Sequence, residues 1–383
     1  MKRYLDFVIQ KDLDSKLVIL TGPRQVGKTT LSRHLATQDG YQYLNWDIPN
    51  DRQILQAGSW DTKVPLLIFD EIHKMPNWKT WLKGVADARI SRQAQGESFQ
   101  KILVTGSARM DTYRQTGESL AGRYFAWRLH PISVKELVSY QGMSAEAALD
   151  HLMLRGGFPE PCLASTELEA NRWRQQYFTD LVREDVLEFS RIHEISAMRT
   201  FVEMLRDRVG SPLSLASMAR DLQISSPTLK KYLEILEALY IVFVVHPWHQ
   251  NIARSLLQAP KVYFYDTAYV RGDEGIRFEN AVANMLLKHS NYLEDSLGQA
   301  HGLHYIRNKE GGEIDFVLSQ QEQITHLIEC KLSKSSISKT LRTKAAQFSQ
   351  AEAIQLTRTL DQTENREGVW LKKASDWLNE LAA

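Results

Sequence analysis

Apolar residues in the first third of the chain gather into short continuous runs, and each run ends in polar or glycine-rich sequence. The runs are KLVIL (16–20), VPLLIF (64–69) and KILV (101–104), and the first leads into a glycine loop and a helix-patterned segment. Continuous apolar runs of this length are typical of strands buried on both faces of a parallel sheet, with helices packed outside. The pattern therefore predicts an α/β domain.

The middle of the chain has helical spacing instead. Residues 132–210 are predicted to be helical, and Trp173, Tyr177, Leu181 and Leu187 recur at near-helical intervals. Such an apolar stripe indicates a packed core face rather than a ligand site.

Residues 214–248 carry the pattern of helix, turn, helix and strand. The first helix is predicted to end near Leu222, and Ser226 is predicted to cap the second, with Pro227 at its first position. The predicted buried stripe of the second helix consists of Leu229, Leu233, Leu236 and Leu239. That order of elements predicts a winged helix-turn-helix, whose second helix can enter the major groove of DNA.

The exposed face of that second helix carries mixed charge. Lys230 and Lys231 would meet DNA phosphates, whereas Glu234 and Glu237 on the same helix weaken the positive potential. Winged helices also serve as protein-docking modules, so the sequence leaves DNA binding and protein docking both open.

The C-terminal part combines an amphipathic helix with two strands. The helix is predicted over residues 275–289, with Glu279 in its first turn. Its buried stripe is predicted to be Phe278, Val282, Met285 and Leu286. Asp315 follows a small glycine loop and begins a strand, and Glu329 and Lys331 share one face of the next strand because side chains two apart point the same way.

Composition limits the classes of protein to which the chain can belong, but it indicates no further site residues. The chain has 383 residues, a net charge of +1 and two cysteines, Cys162 and Cys330. This length allows two or three domains, and a near-zero net charge means that any nucleic-acid surface must be local. Two distant cysteines exclude a disulfide framework, so a reducing cytoplasm is the expected location. No membrane association is expected, because the start lacks a signal-peptide core and the longest apolar run, ALYIVFVV, is too short to span a bilayer.

The loop after the first apolar run matches the phosphate-binding pattern G-x-x-x-x-G-K-[ST]. Its glycines let backbone N–H groups surround a phosphate, Lys28 reaches the β- and γ-phosphate oxygens, and the hydroxyl of Thr29 is suited to Mg²⁺. The following helix directs its positive end at the anion. The predicted cofactors are ATP and Mg²⁺, and the predicted nucleotide-binding loop residues are Gly22, Pro23, Arg24, Gln25, Val26, Gly27, Lys28, Thr29 and Thr30.

Polar residues also follow the second and third apolar runs. Asp70 ends the second run, where α/β sheets bind ligands, and its carboxylate can hold Mg²⁺. Glu71 comes next and is placed to polarise a water for attack on the γ-phosphate. After the third run, Ser107 or Thr105 could hydrogen-bond the γ-phosphate or the attacking water.

Arg123 lies between a predicted helix and the next strand, in the sequence AGRYFAWRL. In that position an arginine can reach the ATP of a neighbouring subunit as a finger. The alternative is an arginine that solvates a helix C-terminus, where cations are favoured.

The stretches TGPRQVGKTT, LLIFDEIHKMPNW, VTGSA and LAGRY resemble a family of bacterial and archaeal AAA+-type ATPases, and GGFPEP (156–161) resembles the signature of that family's small domain. The resemblance extends over nearly the whole chain. It implies a P-loop NTPase (AAA+-like) parallel sheet, with the catalytic glutamate on the strand after next, counted from the strand that leads into the phosphate loop. It implies a helical lid and a homo-oligomer such as a hexameric ring. It also implies that Arg123 acts across a subunit interface, and it leaves the lid arginine unassigned between Arg155 and Arg174.

Glu279, Asp315 and the Glu329-x-Lys331 pair together resemble the PD-(D/E)xK nuclease superfamily, whose core the C-terminal domain of the same ATPase family is thought to share. The resemblance implies a small α/β nuclease-like domain in which Glu279, Asp315 and Glu329 hold Mg²⁺ and Lys331 orients the nucleophile or stabilises the transition state. The alternative is an ordinary Glu-x-Lys pair on a solvated strand face. The basic stretch 331–345 could grip a phosphate backbone or form a solvated helix.

These patterns predict an α/β fold with four domains. They are a P-loop AAA+-type ATPase core (1–138), a helical lid or linker (139–210), a winged helix-turn-helix (211–250) and a nuclease-like domain (251–383). The expected function is ATP hydrolysis coupled to DNA binding or processing, including Mg²⁺-dependent cleavage if the acidic residues are active. The alternative is an ATP-dependent switch or scaffold with an inactive nuclease-like domain that binds protein partners. A GTPase is disfavoured, because no N-K-x-D motif occurs.

Overall fold

The computed structural model describes residues 2–35, 40–106, 120–181, 195–249, 259–308 and 311–383. The chain forms two compact units, Met1–His130 and Pro131–Ala383, and each has its own sheet and core. The sequence placed the end of the ATPase core at residue 138, and its division of the second unit into three domains stays a prediction.

In the first unit, short strands alternate with helices. The strands are β1 (Leu17–Thr21), β2 (Tyr41–Asn45), β3 (Leu66–Asp70), β4 (Lys101–Thr105) and β5 (Tyr124–Arg128). The helices are α1 (Asp6–Leu13), α2 (Lys28–Leu35), α3 (Pro49–Ala57) and α4 (Trp78–Ala94), with a 3₁₀ turn at Ile72–Lys74.

The strands of this unit form a parallel sheet in the order β2-β3-β4-β1-β5. The predicted α/β architecture with a parallel sheet is therefore confirmed. Every residue of β1 and β3 is buried, as expected for strands covered on both faces. β4 lies between β1 and β3, so the strand that ends in Asp70 is the second neighbour of the strand that leads into the phosphate loop. Both strands end at the same edge, where ligands bind in open α/β sheets.

The core of this unit is rich in aromatic residues. Phe69 on β3 packs against Trp81 on α4, with ring centroids 5.4 Å apart, and against Trp60, with centroids 5.5 Å apart. The two tryptophan rings also meet edge to face at 6.0 Å. This cluster packs α4 against β3 through Phe69, the residue before Asp70.

The described residues of the second unit are mainly helical up to residue 238 and then alternate between strands and helices. Its helices are α5 (Val134–Gln141), α6 (Ala145–Arg155), α7 (Pro159–Leu163), α8 (Glu167–Asp180), α9 (Ile195–Arg206), α10 (Leu215–Asp221), α11 (Ser226–Ala238), α12 (Glu274–Leu297), α13 (Lys339–Gln347) and α14 (Ala374–Glu380), with a 3₁₀ turn at Thr267–Tyr269. Its strands are β6 (Val242–Pro247), β7 (Lys261–Phe264), β8 (His301–Arg307), β9 (Glu313–Gln320), β10 (Gln323–Lys331), β11 (Glu352–Thr357), β12 (Glu364–Arg366) and β13 (Val369–Lys373).

The strands of the second unit form a mixed sheet in the order β12-β13-β11-β10-β9-β8-β6-β7. β9 and β10 form a hairpin whose two loop residues, Gln321 and Glu322, both have positive φ, at 47° and 67°. Two-residue hairpin loops need this geometry to match the twist of the strands. The resulting register pairs Phe316 with Ile328, which brings Asp315 beside the end of β10.

The predicted helix-turn-helix segment forms two successive helices, but the predicted N-cap of the second helix is wrong. α10 and α11 follow one another as predicted, and the predicted leucine stripe of α11 is buried. The N-cap of α11 is Ser225, which accepts a hydrogen bond from the backbone N–H of Thr228, so the predicted cap at Ser226 is wrong by one residue. After α11, β6 pairs antiparallel with β7 and also parallel with β8, so it joins the same sheet as the C-terminal strands.

Two other predictions in this unit had different outcomes. The buried stripe of α12 is confirmed, since Phe278, Val282 and Leu286 are fully enclosed. Glu279 is not in the first turn, because α12 begins at Glu274 with Asp273 as its cap. Of the predicted stripe on α8, Leu187 falls outside the described residues.

Among the described helices, none combines the length and the apolar character that crossing a bilayer requires.

Candidate functional site

The phosphate loop at the end of β1 depends on its glycines. Gly22 has a φ of +143°, and a Cβ added there would lie 2.3 Å from the backbone oxygen of Leu129. Gly27 has a φ of +100°, and Gln25 between them is also left-handed, at 58°. Side chains rarely adopt these conformations, so the glycines are required for the loop to fold back on itself.

Lys28 is the first residue of α2, and its ammonium is held inside the loop. Its Nζ donates to the backbone oxygens of Gly22 at 2.9 Å and Pro23 at 2.7 Å, and the residue is buried. The positive end of α2 points at the same loop. The loop backbone, the helix and the ammonium together form an anion-binding concavity of the kind that holds phosphates.

Asp70 lies at the centre of a group of hydroxyls. Its Oδ2 accepts from the hydroxyls of Thr29 at 3.1 Å and Tyr43 at 2.5 Å, and its Oδ1 accepts from the hydroxyl of Thr105 at 2.5 Å. The backbone N–H of Glu71 also donates to Oδ1, at 3.0 Å. Burial and the bond to Asp70 raise the pKa of Tyr43 to about 12. The fold thus joins Thr29 and Asp70, which are far apart in sequence.

This donor set fits Mg²⁺ bound together with a nucleotide. Mg²⁺ prefers oxygen ligands and keeps several waters, so it needs few protein ligands beside phosphate oxygens. The hydroxyl of Thr29 and the carboxylate of Asp70 already touch at the mouth of the loop. The predicted assignment of both residues to the metal stays a prediction that this geometry supports.

Glu71, the residue after β3, has a left-handed backbone conformation. Its φ is +55°, and its backbone N–H donates to the oxygen of Thr105 at 3.2 Å. Burial raises the pKa of its carboxyl, and Lys74 opposes this effect. Its Oε2 lies 3.6 Å from both Nε2 of His73 and Nζ of Lys74. A carboxylate with a raised pKa is a better proton acceptor, which suits a general base.

Sequence reasoning missed Tyr43, His73 and Lys74 around these carboxylates. Lys74 also reaches Oδ2 of Asp47 at 2.6 Å, so it bridges two acids. Only His73 and Lys74 had a signal in the sequence, because they stand two and three residues after Glu71. Tyr43 comes from β2, and nothing in its local sequence indicates Asp70.

Arg123 is engaged within the first unit. Its guanidinium pairs with Asp87 on α4, with Nε 2.6 Å from Oδ1, and it immediately precedes β5. The pair is exposed, and exposed ion pairs contribute little stability, so the arginine can exchange this partner at low cost. Ser107 lies outside the described residues, and Thr105 directs its hydroxyl to Asp70.

In the second unit, the predicted Glu, Asp and Glu-x-Lys residues converge on one end of the sheet. Tyr263 donates its hydroxyl to Oε1 of Glu279 at 2.6 Å, and the backbone N–H of Cys330 donates to Oδ2 of Asp315 at 2.8 Å. Burial raises the pKa of Asp315 to about 7, and the nearby charge of Glu279 adds to this shift. We call Glu279, Glu313, Asp315 and Glu329 the acidic centre.

Glu329 is almost fully buried, so the solvated-strand alternative does not describe it. Its Oε1 lies 2.8 Å from Nζ of Lys331, and its Oε2 accepts from the hydroxyl of Ser338 at 2.6 Å. Lys331 itself is at the rim; burial lowers its pKa, but Glu329, together with Asp315 and Cys330, outweighs burial and raises it.

Sequence reasoning missed Lys261, the first residue of β7. Its side chain is fully buried, and its Nζ lies 2.5 Å from Glu313 Oε1, 3.4 Å from Glu279 Oε1 and 4.0 Å from Asp315 Oδ1. Burial lowers its pKa, but the carboxylates of Glu279, Asp315 and Glu313 together outweigh burial and raise it. The ammonium is therefore a charged part of the acidic centre.

The acidic centre does not fit a divalent cation in this arrangement. Lys261 supplies positive charge to three carboxylates, and the hydrogen bonds to Asp315 and Glu329 occupy oxygens that a metal would need. Across the part of the chain that the structure describes, no three His, Cys, Asp or Glu residues are grouped to hold a metal ion. We therefore derive no metal-dependent step at this centre.

The other predicted contact surfaces carry less free positive charge than their sequence suggests. In the basic stretch 331–345, Lys334 pairs with Glu364 at 2.6 Å and Arg342 with Glu367 at 2.8 Å. On α11, Lys230 lies 4.0 Å from Glu234, so this pair shares the exposed face.

Glu237 is not on that exposed face. It is tucked against β6, where it accepts from the backbone of Val244, and burial raises its pKa to about 7. Glu237 therefore contributes less negative charge to the exposed face than the sequence suggests.

Both candidate lid arginines make contacts inside the second unit. Arg174 is buried and pairs with Asp266, with Nε 2.6 Å from Oδ2. Its Nη2 donates to the backbone oxygen of Arg155, whose own Nη1 donates to the backbone oxygen of Ala164. These contacts give both residues a structural role in packing α6 and α8.

The parallel sheet and the loop geometry define a P-loop domain of the first unit, and comparison with known families describes it as an AAA-type ATPase domain. A family model described as "AAA domain" matches residues 14–138. Two models described as domains of unknown function, DUF8612 and DUF4143, match residues 146–272 and 274–375.

Relatives of the chain are similar over long stretches. The uncharacterised protein Rv2008c of Mycobacterium tuberculosis is 29% identical over 262 residues, which is 68% of this chain and 56% of that protein. The chain thus spans little more than half the length of that relative. An uncharacterised protein of Haemophilus influenzae is 24% identical over 362 residues and 85% of both chains.

A solved structure of the replication initiator DnaA, bound to AMPPCP and single-stranded DNA, is also similar. It is 16% identical and covers 60% of this chain and 86% of its own, with a TM-score of 0.32. A TM-score of this size supports no conclusion about function.

Proposed function

We propose that this chain is an ATP-hydrolysing switch of the AAA type that couples nucleotide turnover to DNA binding by its second unit. The observation that carries the proposal is the contact between Thr29 and Asp70 beside the buried ammonium of Lys28. Glu71 follows with a raised pKa at the same edge of the sheet.

In this proposal, different residues of the first unit bind the phosphates, hold the metal ion and accept the proton during ATP hydrolysis. The loop backbone and Lys28 bind and orient the β- and γ-phosphates, which is most of what phosphoryl transfer requires from a protein. Thr29 and Asp70 would hold Mg²⁺, which when bound offsets the negative charge of the phosphates. Glu71 accepts a proton from the attacking water, and Lys74 and His73 hold its carboxylate in position.

Phosphate release with matched variants tests the hydrolytic part. We expect Lys28→Ala to lose ATP binding, and Glu71→Gln to bind ATP but to hydrolyse it at least about 100-fold more slowly. Lys63→Ala and Glu97→Gln replace exposed residues outside the loop and should behave as the parent does. The proposal fails if Lys28→Ala or Glu71→Gln hydrolyses ATP at the parental rate.

DNA binding is supported by α11 and its surroundings. Ser225 and Pro227 start this helix in the manner of a recognition helix, and β6 and β7 follow as an antiparallel pair, as in a winged helix. Lys230 and Lys231 are exposed on α11, and Glu237 is turned into the fold.

Fluorescence anisotropy with a labelled duplex at several salt concentrations tests this part. Each phosphate contact contributes about −0.9 to the slope of log K against log salt, so the double change Lys230→Gln and Lys231→Gln should reduce the slope by about 2. Glu234→Gln is the matched opposite and should tighten binding. An affinity that does not depend on salt would favour the second candidate, a switch that docks proteins.

Assembly into a homo-oligomer is the remaining part of the proposal. Arg123 pairs with Asp87 at the surface, where an arginine could be transferred to the nucleotide of a neighbouring subunit. Sedimentation with and without ATP, combined with mixing Arg123→Ala and Glu71→Gln chains, tests this idea. An ATP-driven oligomer in which mixed chains recover activity is the expected result, and a monomer that hydrolyses ATP at full rate contradicts it.

A further inference from the structure

Lys261 gives the acidic centre a cation of its own. Its Nζ contacts Glu313 at 2.5 Å and Glu279 at 3.4 Å, and lies 4.0 Å from Asp315, with no exposed surface on the side chain. The ring of Tyr305 lies below the ammonium, with its centroid 5.3 Å from Nζ. A buried ammonium between carboxylates and an aromatic face is compensated without water or metal.

We propose that Lys261 is the built-in cation of the acidic centre, and that a divalent metal ion binds there only after this ammonium is removed. The inference concerns the second unit alone, and it stands whether or not the first unit drives DNA binding. It names the residue that separates this centre from the metal-dependent nuclease sites that its acidic residues resemble.

The oxygens of the centre are already engaged by groups of the chain. Tyr263 and Lys261 both donate to Oε1 of Glu279. The backbone N–H of Cys330 holds Oδ2 of Asp315, and Ser338 holds one oxygen of Glu329. A metal ion would have to break several of these bonds and would also meet the positive charge of the ammonium.

The placement of β7 explains how the lysine reaches this position. Lys261 and Tyr263 are two residues apart on one strand, so both side chains point to the same face of the sheet. Gly210 closes the other side of Glu279, because a Cβ added there would lie 2.8 Å from Oε1. The strand and the glycine turn thus enclose the carboxylate with protein groups.

The consequence is a centre whose carboxylates stabilise the fold and do not recruit a metal. Removing Lys261 would leave Glu279, Glu313 and Asp315 close together with uncompensated charge, which is the arrangement that binds hard divalent cations. The change Lys261→Met keeps most of the side-chain volume and removes the charge together with the N–H donors to Glu279 and Glu313.

Mn²⁺ binding, measured from the loss of the free-ion EPR signal, tests the proposal on the full chain without nucleotide. All variants carry Asp70→Asn, so that the phosphate-loop site makes no contribution. The parental centre should bind no Mn²⁺ at submillimolar concentration. Lys261→Met should bind one Mn²⁺ ion with an affinity at least about tenfold higher than that of the parental centre. A further Asp315→Asn change should abolish that binding.

Lys331→Met is the matched control, because it removes a cation at the rim of the same centre and leaves Lys261 in place. It should not create the Mn²⁺ site. The proposal is overturned if the parental centre binds Mn²⁺ in a way that Asp315→Asn abolishes, or if folded Lys261→Met binds none. Should Lys261→Met be unfolded, Mn²⁺ should restore its thermal unfolding transition, and failure to restore it also overturns the proposal.

Discussion

The change Asp70→Asn tests the proposal that this carboxylate both holds Mg²⁺ and stabilises the first unit. The carboxylate accepts hydrogen bonds from three hydroxyls and one backbone N–H, and the residue is nearly fully buried. The N–H of Glu71 cannot reverse its direction, so the oxygen of an asparagine must stay at the Oδ1 position. Its NH₂ group then faces the hydroxyls of Thr29 and Tyr43, which can rotate and accept.

The size of the effect follows from this count. All four hydrogen bonds to the charged carboxylate, worth about 1.5–3 kcal/mol each, become bonds to a neutral amide worth about 0.5–1.5 kcal/mol each. We therefore expect the free energy of unfolding of the first unit to fall by about 4 kcal/mol. The anionic oxygen for Mg²⁺ is lost as well, and changes next to a metal site cost about 10–100-fold in metal affinity.

Titration of a fluorescent ATP analogue, with Mg²⁺ and with EDTA, measures the functional part. The Kd in EDTA should change by less than about threefold, because Lys28 and the loop remain. The gain in affinity on adding Mg²⁺ should fall at least about tenfold. Asp61→Asn, before the opposite end of β3, is the control and should keep the full gain. If Asp70→Asn also keeps it, Asp70 does not serve the metal and the account of the site is incorrect.

Three further predictions concern stability, each measured by urea unfolding. Gly22→Ala should destabilise the first unit by more than about 1 kcal/mol, whereas Gly96→Ala, with no atom within 4 Å, should cost less. The pKa of Glu237, raised by burial from 4.5 to about 7, contributes stability that is fully present below pH 4.5 and is lost as pH rises from there to 7, so Glu237→Gln should be more stable than the parent at pH 8 and equal to it at pH 4; parallel pH curves contradict this. Lys288→Met should lower the free energy of unfolding by about 3–5 kcal/mol, because it leaves the buried carboxylate of Glu136 without its ion-pair partner. Adding Glu136→Leu should restore most of the lost stability, and a double variant that is no more stable than Lys288→Met refutes the explanation.

The parts of the fold that follow from local sequence could be predicted. The phosphate loop needs glycines at fixed spacing, and the run that ends in Asp70 is apolar at every position because both faces of β3 are covered. The leucine stripe of α11 likewise follows from helical periodicity. In each case the signal lies within one element.

The differences from the sequence predictions have two causes. The cap of α11 is Ser225 rather than Ser226, and Glu279 lies in the second turn of α12, because sequence patterns place helix ends only to within one or two residues. Glu237 was expected on the solvent face, but it packs against β6. The basic stretch 331–345, whose role the sequence left open, has acidic partners from β12 and the turn that follows it.

The sequence by itself determined which chemical groups are present and which elements carry them. It determined the phosphate loop, the acids at the end of β3, and the acids and lysine of the C-terminal strands. Only the tertiary structure decided which groups meet. Lys261 stands far from Asp315 along the chain and has no motif around it, yet strand pairing through β6, β8 and β9 brings its ammonium among the carboxylates. The reason is physical: burial and charge compensation depend on distances in space, and those distances are set by sheet order and register rather than by local composition.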